Sequence, residues 1–133
     1  VTVGDKVSQG FYVPTEVTGQ VVYLGKPTYR AYKGETAMGP TAVLDVAGIF
    51  IVLTAKPILT VTPDPYEAVG LDPRRCKMVV AKSGTQFREQ FEPFARRIIL
   101  ANTPGPCSSD FPSLPFQRLE RPMYPWDDWD WQP

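Results

Sequence analysis

The sequence has 133 residues, enough for one domain with a packed core, and its apolar content of 43% is typical of a globular protein. Its 14 basic and 14 acidic residues cancel, which argues against nucleic acid or a membrane surface as the main partner. The chain has no histidine, which excludes serine–histidine and cysteine–histidine catalytic pairs and removes the commonest zinc ligand. No apolar run is long enough to span a membrane, and no signal peptide is visible.

The first forty residues predict short strands and one long loop. Val1 to Val7 is a strand candidate, and Tyr12 to Leu24 predicts a strand with one wet face. Thr28 to Pro40 predicts a polar loop, long enough to carry function. Its polar and aromatic side chains either form a substrate or partner surface or cover the edge of the core; they are Tyr29, Arg30, Tyr32 and Lys33.

A β-hairpin is predicted over about residues 41–56, with Ala47-Gly48 at its turn. Its second run is apolar at nearly every position, which predicts a central strand covered on both faces. Asp45, the one charge in the first run, is expected to face solvent rather than to act in catalysis. Ile58 to Thr62 predicts another strand, and a brief helical turn follows from an Asp64 N-cap to Val69.

One βαβ unit is predicted over about residues 77–101. The runs before Ser83 and after Arg97 are apolar and β-branched, and Phe87, Phe91 and Phe94 have the spacing of one helix face. Ser83 and Gln86 fit a capping box, and Pro93 is expected to stop the helix near residues 90–92. The strand-to-helix junction is where such units bind ligands, although a capped helix without a ligand explains the same residues.

Cys76 and Cys107 lie at opposite ends of this predicted unit. A disulfide between them is therefore not expected, and two free thiols in a reducing cytoplasm is the simpler interpretation.

The chain from Pro104 onward differs in composition, since it holds seven of the fifteen prolines. We expect an irregular, proline-rich strap there, and a tail at residues 127–133 rich in acidic residues and tryptophan. Because exposed tryptophan is costly, the tail is expected to dock on its own domain, on another domain or on a partner. The predicted fold is thus α+β, a β-rich single domain over residues 1–126 with a mixed sheet.

The stretch VVAKSGTQFREQFEPFARRIILANTPG, followed by SSDFPSLPFQRLERPMYPWD, resembles the C-terminal domain of the MlrC-like metallopeptidases. The runs GPTAVLDVAGIFIVLTAKP and GLDPRRCKMVVAKS match the same family in the same order. The resemblance extends over roughly Thr15 to Asp127.

The resemblance implies that the chain is part of a two-domain enzyme that hydrolyses peptide bonds. The N-terminal domain of the same polypeptide would carry the zinc ion and its ligands, and would be this chain's partner. This segment would hold no cofactor, no metal ligand and no catalytic residue. Its candidates for contact with the substrate cleft are Lys82, Ser83, Gln86, Phe87 and Arg88, which correspond to the family's KS-x-x-HFR segment. Gln86 stands where family members usually have histidine, and glutamine neither titrates nor binds zinc well.

The chain begins inside a strand-like run without methionine, so we expect it to be a piece of a longer polypeptide. The alternative is a free-standing interaction domain with no enzymatic activity. It would bind a partner through the aromatic tail and the loop at residues 28–40.

Overall fold

The computed structural model of the chain describes residues 1–4, 13–31, 34–103, 110–124 and 126–127. The chain divides into two compact units. One comprises Val1–Thr2 and Glu16–Ile99, and the other comprises Val3–Thr15 and Leu100–Pro133. The expected boundary between a domain and a tail near residue 126 stays a prediction.

The described residues form strands and short helices, which confirms the β-rich α+β class. The strands are β1 (Thr2–Val3), β2 (Thr15–Glu16), β3 (Gln20–Gly25), β4 (Thr28–Ala31), β5 (Gly34–Ala37), β6 (Thr41–Val46) and β7 (Ile49–Thr54). The α-helices are α1 (Asp64–Glu67) and α2 (Arg88–Phe91), and 3₁₀ turns occur at Pro73–Arg75 and Phe111–Ser113. None of the helices in these described ranges is long and apolar enough to cross a membrane.

The predicted hairpin is confirmed as β6 and β7, which pair antiparallel from Thr41 opposite Thr54 to Val46 opposite Ile49. Ala47 and Gly48 form its turn with φ of 52° and 88°, and the amide of Gly48 donates to the Asp45 carboxylate at 2.7 Å. Two positive φ values are what a type I′ turn requires, and this turn matches the twist of the two strands. Asp45 therefore has a structural role in the turn.

β6 lies in the middle of a three-stranded sheet in the order β3-β6-β7. The prediction that β7 is central is wrong, because β3 pairs with the other edge of β6 and no strand of the described chain pairs with the outer edge of β7. Val43 on β6 lies opposite Tyr23 and Val52. These three side chains belong to the core of the first unit.

The predicted loop at residues 28–40 is largely a second hairpin, in which β4 pairs antiparallel with β5. Tyr29 and Met38 are buried and form the core with Val43 and Val69. The loop prediction failed because β4 and β5 are polar on one face, where Thr28 Oγ1 donates to Glu35 Oε1 at 2.6 Å. Tyr32 and Lys33 lie outside the described residues.

The helical turn predicted at residues 64–69 is confirmed as α1, which contacts β4. Its N-cap is Pro63 and not Asp64, and no side chain caps it. The strand predicted at residues 58–62 is wrong, because this segment has no strand partner among the described residues; Ile58 packs against the core instead.

The predicted βαβ unit is wrong, and so is the mixed sheet. Residues 77–82 and 98–101 carry no strand, and the pairings of β3, β4, β5, β6 and β7 are antiparallel. A β-branched run becomes a strand only where a neighbouring edge offers hydrogen bonds, and Met78, Val80 and Ile99 are exposed instead. Pro93 does limit the helix, since α2 ends at Phe91 as expected.

The described C-terminal residues confirm an irregular strap, with one 3₁₀ turn and no strand in residues 110–124. Trp126 packs on Phe111 and Phe116, with ring centroids 6.5 and 5.7 Å away. Trp129 and Trp131 lie outside the described residues. Cys76 is an exposed free thiol, and Cys107 lies outside the described residues.

Candidate functional site

The candidate cleft residues lie in the turn that leads into α2 and, in the case of Arg88, at the first position of α2. Lys82, Gln86 and Arg88 are exposed, Ser83 is partly buried, and Phe87 is buried. The turn thus presents three polar side chains around one apolar anchor. Its role in a substrate cleft stays a prediction.

The predicted capping box is wrong, because α2 begins one turn later than the pattern suggests. Its N-cap is Phe87, and no side chain accepts a hydrogen bond from the first helical amides. The amide of Ser83 instead donates to the Ala81 carbonyl at 2.9 Å, which closes a tight turn before the helix. Ser83 therefore does not hold an anion site at a helix N-terminus.

The phenylalanine spacing correctly predicts the packed face of α2. Phe87 and Phe91 are buried, and Phe94 is partly buried on the same side. Phe91 meets Phe94 with ring centroids 5.7 Å apart and meets Tyr66 in a T-shaped arrangement with ring centroids 6.4 Å apart. Aromatic pairs in these geometries stabilise beyond the area they bury. They fix α2, and with it the candidate turn, against α1.

Arg88 reaches back over the anchor of the turn. Its guanidinium carbon lies 5.8 Å from the centroid of the Phe87 ring, and its Nη1 lies 3.9 Å from Glu92 Oε1. Both contacts are solvent-exposed and therefore weak. The guanidinium is held near the turn while it stays accessible to a bound anion.

Arg74 forms a second set of polar contacts beside the aromatic cluster. Its guanidinium donates to the Glu67 carboxylate and lies 3.5 Å from Asp72 Oδ1. The guanidinium carbon also lies 5.2 Å from the Phe94 ring centroid. The hydrogen bond to Glu67 is the main cause that raises the pKa of Arg74 above its ordinary value. Arg74 thereby joins the 3₁₀ turn at residues 73–75 to α1 and to Phe94, which follows α2.

Tyr66 connects α1 to the irregular segment before the candidate turn. Its hydroxyl donates to the Val80 carbonyl at 3.0 Å, and burial raises the pKa of the phenol above its ordinary value of 10.0. Sequence reasoning missed Tyr66, Glu67 and Arg74 as supports of the turn. Their contacts join residues that are far apart in sequence, and no periodic sequence pattern predicts these contacts.

The alternative hypothesis proposes that the aromatic tail and residues 28–40 bind a partner, and part of that surface is packed within the chain itself. Tyr29, which belongs to residues 28–40, is buried in the core, and Trp126, which directly precedes the predicted tail, packs on Phe111 and Phe116. No group of three or more cysteine, aspartate or glutamate side chains in the described ranges is arranged to hold a metal ion.

Residues 1–118 match a protein family described as MlrC C-terminus. The chain is also similar to Microcystinase C from Sphingomonas sp, with 26% identity over 127 residues. That alignment covers 94% of this chain and 24% of the relative, so the chain spans about a quarter of the length of the curated relative it matches.

Proposed function

The chain belongs to the MlrC C-terminus family, and from that premise we propose that its full polypeptide is a zinc-dependent hydrolase of peptide bonds. The match over residues 1–118 is the observation that carries this proposal. Within the enzyme, this domain supports the metal-binding domain and shapes the cleft that receives the peptide. It does not hydrolyse peptides by itself.

The donor atoms of this chain do not fit a catalytic zinc site. Such a site takes about three protein ligands, chiefly histidine and carboxylate, and keeps one position open for water. This sequence has no histidine, and its described acidic and cysteine side chains form no group of three. We therefore assign the ligands to the N-terminal domain of the same polypeptide.

The turn before α2 is the part of this chain that we assign to the substrate cleft. Gln86 and Arg88 are exposed on either side of Phe87, which is buried and fixes the turn. A glutamine amide can both donate to and accept from a peptide group. Arg88 supplies a guanidinium that can pair with a substrate carboxylate. Phe87 acts as the anchor and makes no contact with substrate.

The test uses the polypeptide as its gene encodes it, assayed on a mixture of fluorogenic peptides. We expect hydrolysis that a chelator abolishes and added zinc restores. Gln86→Ala or Arg88→Ala should raise KM about 3- to 10-fold, the loss expected for one hydrogen bond to a bound substrate. The matched control is Glu89→Ala, an exposed neighbour in α2 to which we assign no contact.

The outcomes separate the two parts of the proposal. A polypeptide that binds no zinc and cleaves no peptide contradicts the hydrolase assignment. An active zinc enzyme whose KM is the same in the Gln86, Arg88 and Glu89 variants contradicts the cleft assignment.

A further inference from the structure

Positive charge is concentrated in one stretch of the chain, residues 74–97. This stretch has seven basic and two acidic residues, whereas the rest of the chain has seven basic and twelve acidic residues. The net charge of zero is therefore the sum of a cationic stretch and an acidic remainder. The candidate turn before α2, with Lys82 and Arg88, lies inside the cationic stretch.

Four exposed cations of this stretch have no side-chain partner among the described residues. Arg74 is not one of them, because it pairs with Glu67 and Asp72, and Arg88 lies near Glu92. The four unpaired side chains form what we call the cationic patch; they are Arg75, Lys77, Arg96 and Arg97. Their guanidinium and ammonium groups are therefore available to a ligand.

One contact joins the two halves of the cationic patch. The guanidinium carbon of Arg74 lies 5.2 Å from the centroid of the Phe94 ring. Arg75 is the next residue after Arg74, and Arg96 follows Phe94 by two residues, a distance of at most about 7 Å along the chain. All of these residues belong to the first compact unit. The cations from the two segments therefore lie in one region of its surface.

Exposed apolar side chains follow these cations in the chain. Met78 and Val80, which come directly after Lys77 and Val79, are each 78% exposed. Guanidinium groups bind carboxylates through paired hydrogen bonds, and exposed apolar side chains are stabilised when a ligand covers them. A peptide with both acidic and apolar side chains satisfies both needs. A nucleic acid fits less well, because the acidic remainder of the chain would repel a long polyanion.

We infer that the cationic patch binds carboxylates of the peptide substrate, so that the enzyme prefers peptides in which glutamate or aspartate accompanies apolar residues. The inference rests on the proposed function, because it takes the ligand to be the substrate. Arg96 follows Arg88 by eight residues, which span at most about 27 Å. An extended octapeptide has about this length, so one substrate can reach both the candidate turn and the cationic patch.

Stopped-flow fluorescence anisotropy on the gene-encoded polypeptide measures this binding before hydrolysis shortens the probe. The acidic probe is a capped, labelled octapeptide with four glutamates among leucine and alanine, and the neutral probe has glutamine at those four positions. We expect the acidic probe to bind about tenfold more tightly at about 0.05 M salt. The difference should shrink at about 0.5 M salt, which screens exposed charges.

A paired substitution, Arg96→Gln with Arg97→Gln, assigns the preference to the cationic patch. It should weaken binding of the acidic probe about fivefold, the loss expected for two exposed ion pairs, and leave the neutral probe unchanged. The matched control is Lys26→Gln with Lys56→Gln, which removes the same charge from exposed positions outside the stretch.

Each result bears on the inference. A preference for the acidic probe that only the Arg96 and Arg97 substitutions reduce supports it. Equal affinities for the two probes overturn it, and so does an equal loss in the paired variant and its control, because net charge alone then explains the binding. Stronger competition by a DNA pentamer, which carries the same four negative charges, also overturns it.

The measurement also separates this inference from the proposed function, because binding needs no hydrolysis. An inactive polypeptide that prefers the acidic probe contradicts only the proposed function. An active enzyme that binds both probes equally contradicts only this inference.

Discussion

The hydroxyl of Tyr66 donates a hydrogen bond to the backbone carbonyl of Val80 at 3.0 Å. Tyr66 belongs to α1, and Val80 belongs to an irregular segment that has no strand partner in the described chain. The bond therefore fixes this segment by a side chain where a sheet would have used backbone hydrogen bonds. The candidate turn at residues 82–88 begins two residues later, so α1 helps to set its position.

Tyr66→Phe should lower the free energy of unfolding by about 1 kcal/mol, because it removes one hydrogen bond and keeps the ring. Tyr124→Phe is the control, since that tyrosine is exposed. Urea unfolding of both variants gives the comparison. Equal midpoints for the two variants would show that the bond contributes nothing to stability.

Phe91→Ala should destabilise the fold by about 3–5 kcal/mol, because it empties a packed site. Phe91 is 5% exposed and contacts both Tyr66 and Phe94. Phe50→Ala is the matched control, because Phe50 is 44% exposed at the edge of the sheet and should lose much less. The two free energies of unfolding come from guanidinium melts, and a similar loss at both positions would contradict the packing described for α2.

Ala47→Asn should stabilise the β6–β7 hairpin by about 1 kcal/mol. Ala47 has a φ of 52°, a left-handed conformation that costs most L-residues about 1–2 kcal/mol and that asparagine tolerates. The reverse change is Gly48→Ala, which places a Cβ at a φ of 88° and should destabilise. Thermal unfolding of both variants checks the signs, and a lower melting temperature for Ala47→Asn would contradict a type I′ turn.

The carboxyl of Asp127 should titrate below its ordinary pKa of 3.8. The backbone amide of Met123 is the main cause, donating at 2.8 Å, and the Arg121 guanidinium is the second, also at 2.8 Å. A pKa that is lower in the folded state means that this carboxylate stabilises the fold above pH 3.8, and that its contribution is lost as the pH falls through the folded pKa. Carbon-13 NMR of the carboxyl gives the pKa directly.

Arg121→Gln separates the two causes at Asp127. It should raise the Asp127 pKa only in part, because the amide of Met123 remains in place. A full return to the ordinary value would mean that Arg121 is the main cause.

The hairpin and the face of α2 were predictable because their signals are local. Residues 41–54 carry β-rich runs around an Ala-Gly turn, and Phe87, Phe91 and Phe94 repeat with the helical period. These patterns fix which side chains face inward without knowledge of any distant partner. The candidate cleft residues were assigned by the family resemblance and not by this period.

The absence of the βαβ unit was not predictable, because residues 77–82 form a strand only if a neighbouring strand edge is present. The sequence does not show whether such an edge exists. The Val79-Val80 run has the composition of a strand, but the carbonyl of Val80 accepts a hydrogen bond from the Tyr66 side chain of α1 instead. The prediction that β7 is a central strand was wrong for a related reason. Its continuous apolar run indicated cover on both faces, and the described chain provides only part of that cover.

Phe87 is the one buried side chain between two exposed neighbours, Gln86 and Arg88. Packing therefore constrains only the middle of the three positions, and exposed substitutions of this kind usually change stability by about 0.5 kcal/mol or less. Substitutions at the two flanking positions can then accumulate without unfolding the protein. A lineage can exchange histidine for glutamine at residue 86 while the phenylalanine that holds the turn in place is retained.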